Sequence, residues 1–179
     1  MVRLLDSPEM INSAKRIRQD DMGFSDGTLF SLLFNRCNGV VSLGDDKGTL
    51  MHIGPQTRPQ DAVEGRFKDE SREYPAMHEL YNHSQDVKSI HIYHSLDSCW
   101  SPESIEEAFA SSGFHNMQHI SVPSFREDKK QTYRDVLLDT KARVLYIFPY
   151  DSKEPIVVPF DQSDFGSNRY AEQFAWVNR

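Results

Sequence analysis

Cysteine is scarce in this chain: Cys37 and Cys99 stand 62 positions apart, and no CxxC pair occurs. That excludes a disulfide framework and a zinc knuckle, and it suits a reducing compartment. No apolar run approaches the roughly 18 residues of a membrane-spanning helix. The opening Met1-Val2-Arg3-Leu4-Leu5-Asp6 is too short an apolar stretch for a cleaved signal peptide. Positive charge is in deficit. The 20 Lys and Arg against 27 Asp and Glu leave a net charge of −7, which argues against general affinity for nucleic acid or an anionic membrane. No EF-hand loop, P-loop or dinucleotide fingerprint is present, and Ser42 and Ser98 lack a nucleophile-elbow setting. A cytoplasmic protein is expected, or one exported by a route that uses no cleaved signal peptide.

The content that remains is that of one α+β domain over 1–179. At 179 residues a single domain buries roughly 70% of the surface its unfolded chain exposes. Ser7-Pro8-Glu9 reads as a helix opening, with Ile11, Ala14 and Ile17 on one face and the pattern fading at Asp20-Asp21. Thr28 to Phe34 is an apolar run that is a strand or a short helix. Gly54 to Arg72, with its prolines and charges, reads as a long exposed loop. Pro75 to His83 holds a short helix, and Val87 to His94 alternates as a strand. Ser101-Pro102-Glu103 opens a second helix with Ile105, Ala108 and Phe109 inward, closed by Gly113. His119 to Pro123 is a strand, Tyr133 to Leu138 and Arg143 to Phe148 form a hairpin, and Pro155 to Phe160 is an edge strand. Tyr170 to Val177 reads as a docked C-terminal helix. Strands with two or three covering helices predict a mixed, mostly antiparallel sheet or sandwich.

The chemistry concentrates in one hairpin. Asn35-Arg36-Cys37-Asn38-Gly39-Val40-Val41-Ser42-Leu43 and Thr49-Leu50-Met51-His52-Ile53-Gly54-Pro55 flank a connection, Gly44-Asp45-Asp46-Lys47-Gly48, read as five residues. Cys37 and His52, fifteen positions apart, are the nucleophile and base types of thiol acyl chemistry. With Asp46 at the centre of the turn, His52 faces Val40. Cys37 then lies on the opposite face, roughly 10 Å away at ~3.4 Å per residue. Bringing the two together takes a bulge, which Gly39 permits, or a Cys37 that precedes the ladder with the chain turning at Asn38-Gly39. The competing reading is that Cys37 is a small core residue.

Cys37, the apolar run, the glycine-containing turn and Gly48-Thr49-Leu50-Met51-His52-Ile53-Gly54-Pro55 together resemble the core motif of the CheD family, the glutamine deamidases of chemoreceptors. They also resemble the wider group that includes the cytotoxic necrotizing factors. The hairpin likeness covers about 28–55, and a looser likeness in element order covers about 87–148. The CheD-like core spans about 25–150, followed by a C-terminal extension at about 151–179. The family's Leu-Gly-Ser before the cysteine is replaced here by Phe34-Asn35-Arg36.

The resemblance implies a protein substrate presenting a glutamine side chain, with no cofactor and no metal. Cys37 would be the nucleophile, activated as a thiolate by His52 acting as base. Ser31, or Thr28 as a near alternative, would take the place of a family threonine six residues before the cysteine and accept from the other imidazole nitrogen. The backbone N–H groups of Asn38 and Gly39 would stabilise the oxyanion. Two alternatives stay open: a non-catalytic protein-interaction module whose site the bulky Phe34-Asn35-Arg36 has closed, and a Cys-His amidase or protease. A metal reading of His91, His94 and Cys99 is disfavoured because residues i and i+3 of a strand face opposite ways. His115 and His119 follow the helix-ending Gly113 and lack helical spacing.

Overall fold

In the computed structural model the described residues are 4, 8–68, 72–93, 98–122, 133–150 and 152–160. Period-two alternation and short Gly- or Asp-bearing turns produce ten strands, and four short helices accompany them among the described residues. In chain order these are α1 (Pro8–Ile11), β1 (Lys15–Ile17), β2 (Asp21–Ser25), β3 (Thr28–Phe34), β4 (Asn38–Leu43) and β5 (Gly48–Ile53). Then come α2 (Pro59–Val63), α3 (Met77–Leu80), β6 (Lys88–Tyr93), α4 (Pro102–Ser111), β7 (Met117–Ser121), β8 (Arg134–Asp139), β9 (Val144–Pro149) and β10 (Ile156–Pro159). None of the helices is long and apolar enough to cross a membrane.

The strands form two five-stranded mixed sheets, ordered β1-β3-β8-β9-β10 and β2-β5-β4-β6-β7. Two neighbouring pairs are parallel, β1 with β3 and β6 with β7, the latter joined through α4. The others are antiparallel. The sheets face each other across an apolar layer that includes Leu29, Phe34, Val41, Leu50, Ile92, Val136 and Ile147, each such side chain contributing about 1.5–3 kcal/mol when fully buried. The outer face of the second sheet offers Val40, Met51 and Ile53 to α2, α3 and α4, whose Val63, Met77 and Phe109 cover it. The outer face of the first sheet carries Phe30, Leu137 and Phe148, with Met10 and Ile11 of α1 packed on them. The expected α+β sandwich is therefore the observed architecture, and β10 is the edge strand that its prolines indicated.

Two expectations are corrected. The first helix stops at Ile11, and Lys15–Ile17 is strand. Ile11 and Ala14 pack on the outer face while Ile17 enters the inter-sheet layer, so their spacing of three serves two different layers rather than one helical stripe. Gly54 to Arg72 is not an exposed loop throughout: it contains α2, and Pro59, Ala62, Val63 and Phe67 are buried. The second-helix reading holds, with Ser101 Oγ accepting from Ser104 N at 3.2 Å as N-cap. The Ser7 cap and the Tyr170 to Val177 helix lie outside the described residues.

Candidate active site

His52 sits on β5, where Leu50 faces the inter-sheet layer and Met51 and Ile53 face the helices. Alternation turns His52 inward, between the sheets, where it is 2% exposed. Its Nδ1 lies 2.8 Å from Ser31 Oγ, and the same hydroxyl lies 2.8 Å from the Ile17 carbonyl oxygen. A carbonyl only accepts, so the Ser31 hydroxyl donates to Ile17 and accepts from Nδ1–H. The proton is thereby assigned to Nδ1, and Nε2 is left with an open lone pair. Nε2 is buried and has no hydrogen-bond partner among the described residues. Burial, reinforced by the nearby Arg134 guanidinium, pushes the His52 pKa down to about 3, so the ring is neutral at physiological pH.

A β-bulge builds the other wall. In a regular strand Ser31 and Phe34, three apart, would face opposite ways. The register of β3 against β8 shifts between Ser31 and Phe34, and Leu33 adopts φ +61° within the shift. Leu33 is turned to solvent, 55% exposed, and its N–H donates to Asp135 Oδ1 at 3.0 Å. The bulge re-aims Phe34 into the inter-sheet layer. There it stacks on the imidazole with centroids 3.6 Å apart and 12° between planes. Its ring also covers Gly39, where a Cβ would stand 3.1 Å from a Phe34 ring carbon.

The hairpin register differs by one residue from expectation. The turn closes as Gly44 N–H to Lys47 O at 3.0 Å, with Leu43 opposite Gly48, so its centre lies between Asp45 and Asp46 and the connection is four residues long. Gly39, not Val40, faces His52. A one-residue slip exchanges faces, so Gly39 rather than Val40 shares the side of the sheet that His52 occupies. Cys37 lies in the bend at 35–37 and packs against the inter-sheet cluster. This is the second of the two routes considered, a cysteine that precedes its ladder, although the chain turns one step earlier than Asn38-Gly39.

No hydrogen bond joins Cys37 to His52 Nε2. Burial first, then the charges of Cys99 and Asp20, push the Cys37 thiol up to about 12 despite the opposing pull of Arg134. The expected thiolate is thus not the resting state: burial disfavours both ions, leaving neutral thiol and neutral imidazole. Asn38 and Gly39, named for the oxyanion, are both ladder residues. Asn38 stands opposite Ile53, and Gly39 lies between His52 and Ile92.

Three neighbours escaped the sequence reading. Arg134, 2% exposed, donates to the carbonyls of Phe34, Asn35 and Val122 at 3.3, 2.6 and 2.7 Å, fixing the approach to Cys37. Cys99 N–H donates to Arg36 O at 2.8 Å, and its thiol donates to Asn38 Oδ1 at 3.1 Å, so it abuts the residues on either side of Cys37. Asp20 is 8% exposed, accepts from Gly54 N–H at 3.0 Å, and donates its own N–H to His52 O at 2.8 Å. Cys99 was weighed only as a metal ligand with His91 and His94, and the Asp20-Asp21 pair reads equally as a helix end. Among the described residues no cluster of three metal-ligating side chains occurs.

No protein-family model matches the chain, and no curated protein matches it. The likeness to CheD and the necrotizing factors thus stands on the motif around Cys37 and His52.

Proposed function

We propose that the protein is a thiol-dependent hydrolase acting on a glutamine side-chain amide of a protein substrate, with Cys37 as nucleophile, His52 as base and Ser31 as positioning residue. The observation that carries this reading is the Ser31-locked tautomer, which leaves a buried Nε2 lone pair unpartnered. Such a lone pair is costly to keep, and a general base requires one. Ser31 stands six residues before Cys37, where the CheD resemblance asks for a hydroxyl.

In this reading the Cys37 proton passes to Nε2 as sulfur attacks the carboxamide carbon, so that no thiolate is needed at rest. The tetrahedral oxyanion then collapses, the C–N bond breaks, and ammonia leaves with the proton returned by His52. Water adds to the thioester and Cys37 leaves as thiol, giving glutamate. Backbone N–H groups beside Cys37 would stabilise the oxyanion.

The test is the pH profile of iodoacetamide alkylation at Cys37, read by peptide mass spectrometry in wild type and His52→Ala. Cys37 should react faster with His52 present. If the substitution leaves the profile unchanged, or if Cys37 is inert in both, the deamidase reading falls. A second reading has its own support: Phe34 seals His52 and burial raises the Cys37 pKa, as suits an interaction module that has closed an ancestral site.

A further inference from the structure

Asp20 is a buried acid that the proposed chemistry leaves without a task. Its carboxylate is almost fully covered, and no cation lies within ion-pair reach among the described residues. A buried charge without a counterion is expensive, so such groups commonly serve function. Oδ1 accepts from Gly54 N–H at 3.0 Å, whereas Oδ2 has only the long 3.4 Å contact with Gln19 Nε2. A carboxylate has about four acceptor positions, so Oδ2 retains capacity.

The backbone is shaped to hold this group. Asp20 sits at φ +52°, and a Cβ on Gly54 would come within 2.6 Å of Oδ2, so the glycine leaves the room that the oxygen uses. Asp20 is one of the residues that line a surface groove of about 440 Å³, with Gln19, Gln56 and Lys68. Asp20 bonds the backbone of His52 and of Gly54, on either side of the Ile53 carbonyl that the Cys99 thiol approaches at 3.5 Å, and its charge pushes both the Cys37 and Cys99 thiols up. An anion so placed opposes thiolate formation and is no activator of the nucleophile. Its use must lie with what arrives from the groove.

We infer that Asp20 is a specificity-determining residue for a carboxamide. Its Oδ2 accepts an N–H of the substrate –NH2 group as the amide reaches Cys37 from the groove lined by Gln19, Asp20, Gln56 and Lys68. This rests on the hydrolase reading above. The chemistry gives direction as well as selection: a carboxamide donates to Asp20, while the product carboxylate meets like charge and is expelled. A site that hydrogen-bonds a substrate N–H also discriminates against analogues lacking it.

Three small alkylating agents test this without knowledge of the protein substrate. Iodoacetamide carries the –NH2 group, methyl iodoacetate is neutral without a donor, and iodoacetate is an anion. Rates at Cys37 are normalised to those of free cysteine. Wild type should favour iodoacetamide over iodoacetate by about tenfold or more, and over methyl iodoacetate by about threefold or more. Asp20→Asn keeps an oxygen for the Gly54 amide, and an unchanged thermal midpoint checks that it folds; it should lose both preferences. A preference against iodoacetate alone would mean simple charge repulsion and would overturn the inference, as would ratios that Asp20→Asn leaves unchanged. Dependence of Cys37 on His52 is measured separately, so loss of that dependence with the Asp20 preferences intact strikes the hydrolase reading and not the subsite.

Discussion

Acid should destabilise this protein through one histidine. In the folded chain His52 has a pKa of about 3, chiefly from burial, against about 6.5 when unfolded. The unfolded state therefore binds a proton first as pH falls. The stabilisation is fully present above pH 6.5 and is lost progressively as pH drops toward 3. At 1.36 kcal/mol per pH unit, moving from pH 7.5 to 4.5 removes about 2–3 kcal/mol through this group alone. The assay is urea unfolding at both pH values for wild type and His52→Gln. Carboxylates contribute to both proteins alike, so the difference of differences isolates His52. The ring proton resonances of His52 supply a second check and should not move between pH 7.5 and 4.5. A midpoint near 6.5 for His52, or equal pH sensitivity in the two proteins, would refute the picture of a neutral ring buried between the sheets.

Further outcomes follow from the same geometry. Ser31→Ala strips the acceptor from Nδ1–H and the hydroxyl donor from Ile17 O; it should cost about 1–3 kcal/mol in urea unfolding, and Ser31→Thr, which keeps a hydroxyl, should recover part of that. Phe34→Ala removes a buried ring stacked on the imidazole; a loss of about 3–5 kcal/mol is expected, together with faster modification of His52 by diethyl pyrocarbonate. Leu33→Gly relieves a left-handed backbone at a solvent-facing side chain and should stabilise by about 0.5–1 kcal/mol in the same assay.

Local chemistry was readable wherever a few neighbouring residues settle the outcome. The Ser101-Pro102 helix start is set by capping, the strand Lys88–Tyr93 by its alternation, and the hairpin of β4 and β5 by its turn residues. The pairing of Ser31 with His52 was also anticipated, through the motif resemblance. What lay beyond the local pattern was misjudged for identifiable reasons. Ile11, Ala14 and Ile17 have helical spacing, yet they pack in two layers, which appears only when both sheets are assembled. The charged segment after Gly54 conceals α2 because its few apolar residues, Pro59, Ala62, Val63 and Phe67, are the ones that reach the core.

Residue types and the hairpin belong to the sequence itself, because turns, caps and alternation are short-range effects; the grouping of Ser31, Cys37 and His52 came from the motif resemblance. The tertiary structure decided the rest. A turn one residue shorter than expected put Gly39, not Val40, opposite His52, since a single-residue slip exchanges the two sides of a strand. A bulge at Leu33 brought Phe34 onto the imidazole, since only an extra residue can put positions three apart on one face. Burial between two sheets then set the charge states, because the cost of an ion depends on everything that displaces water around it.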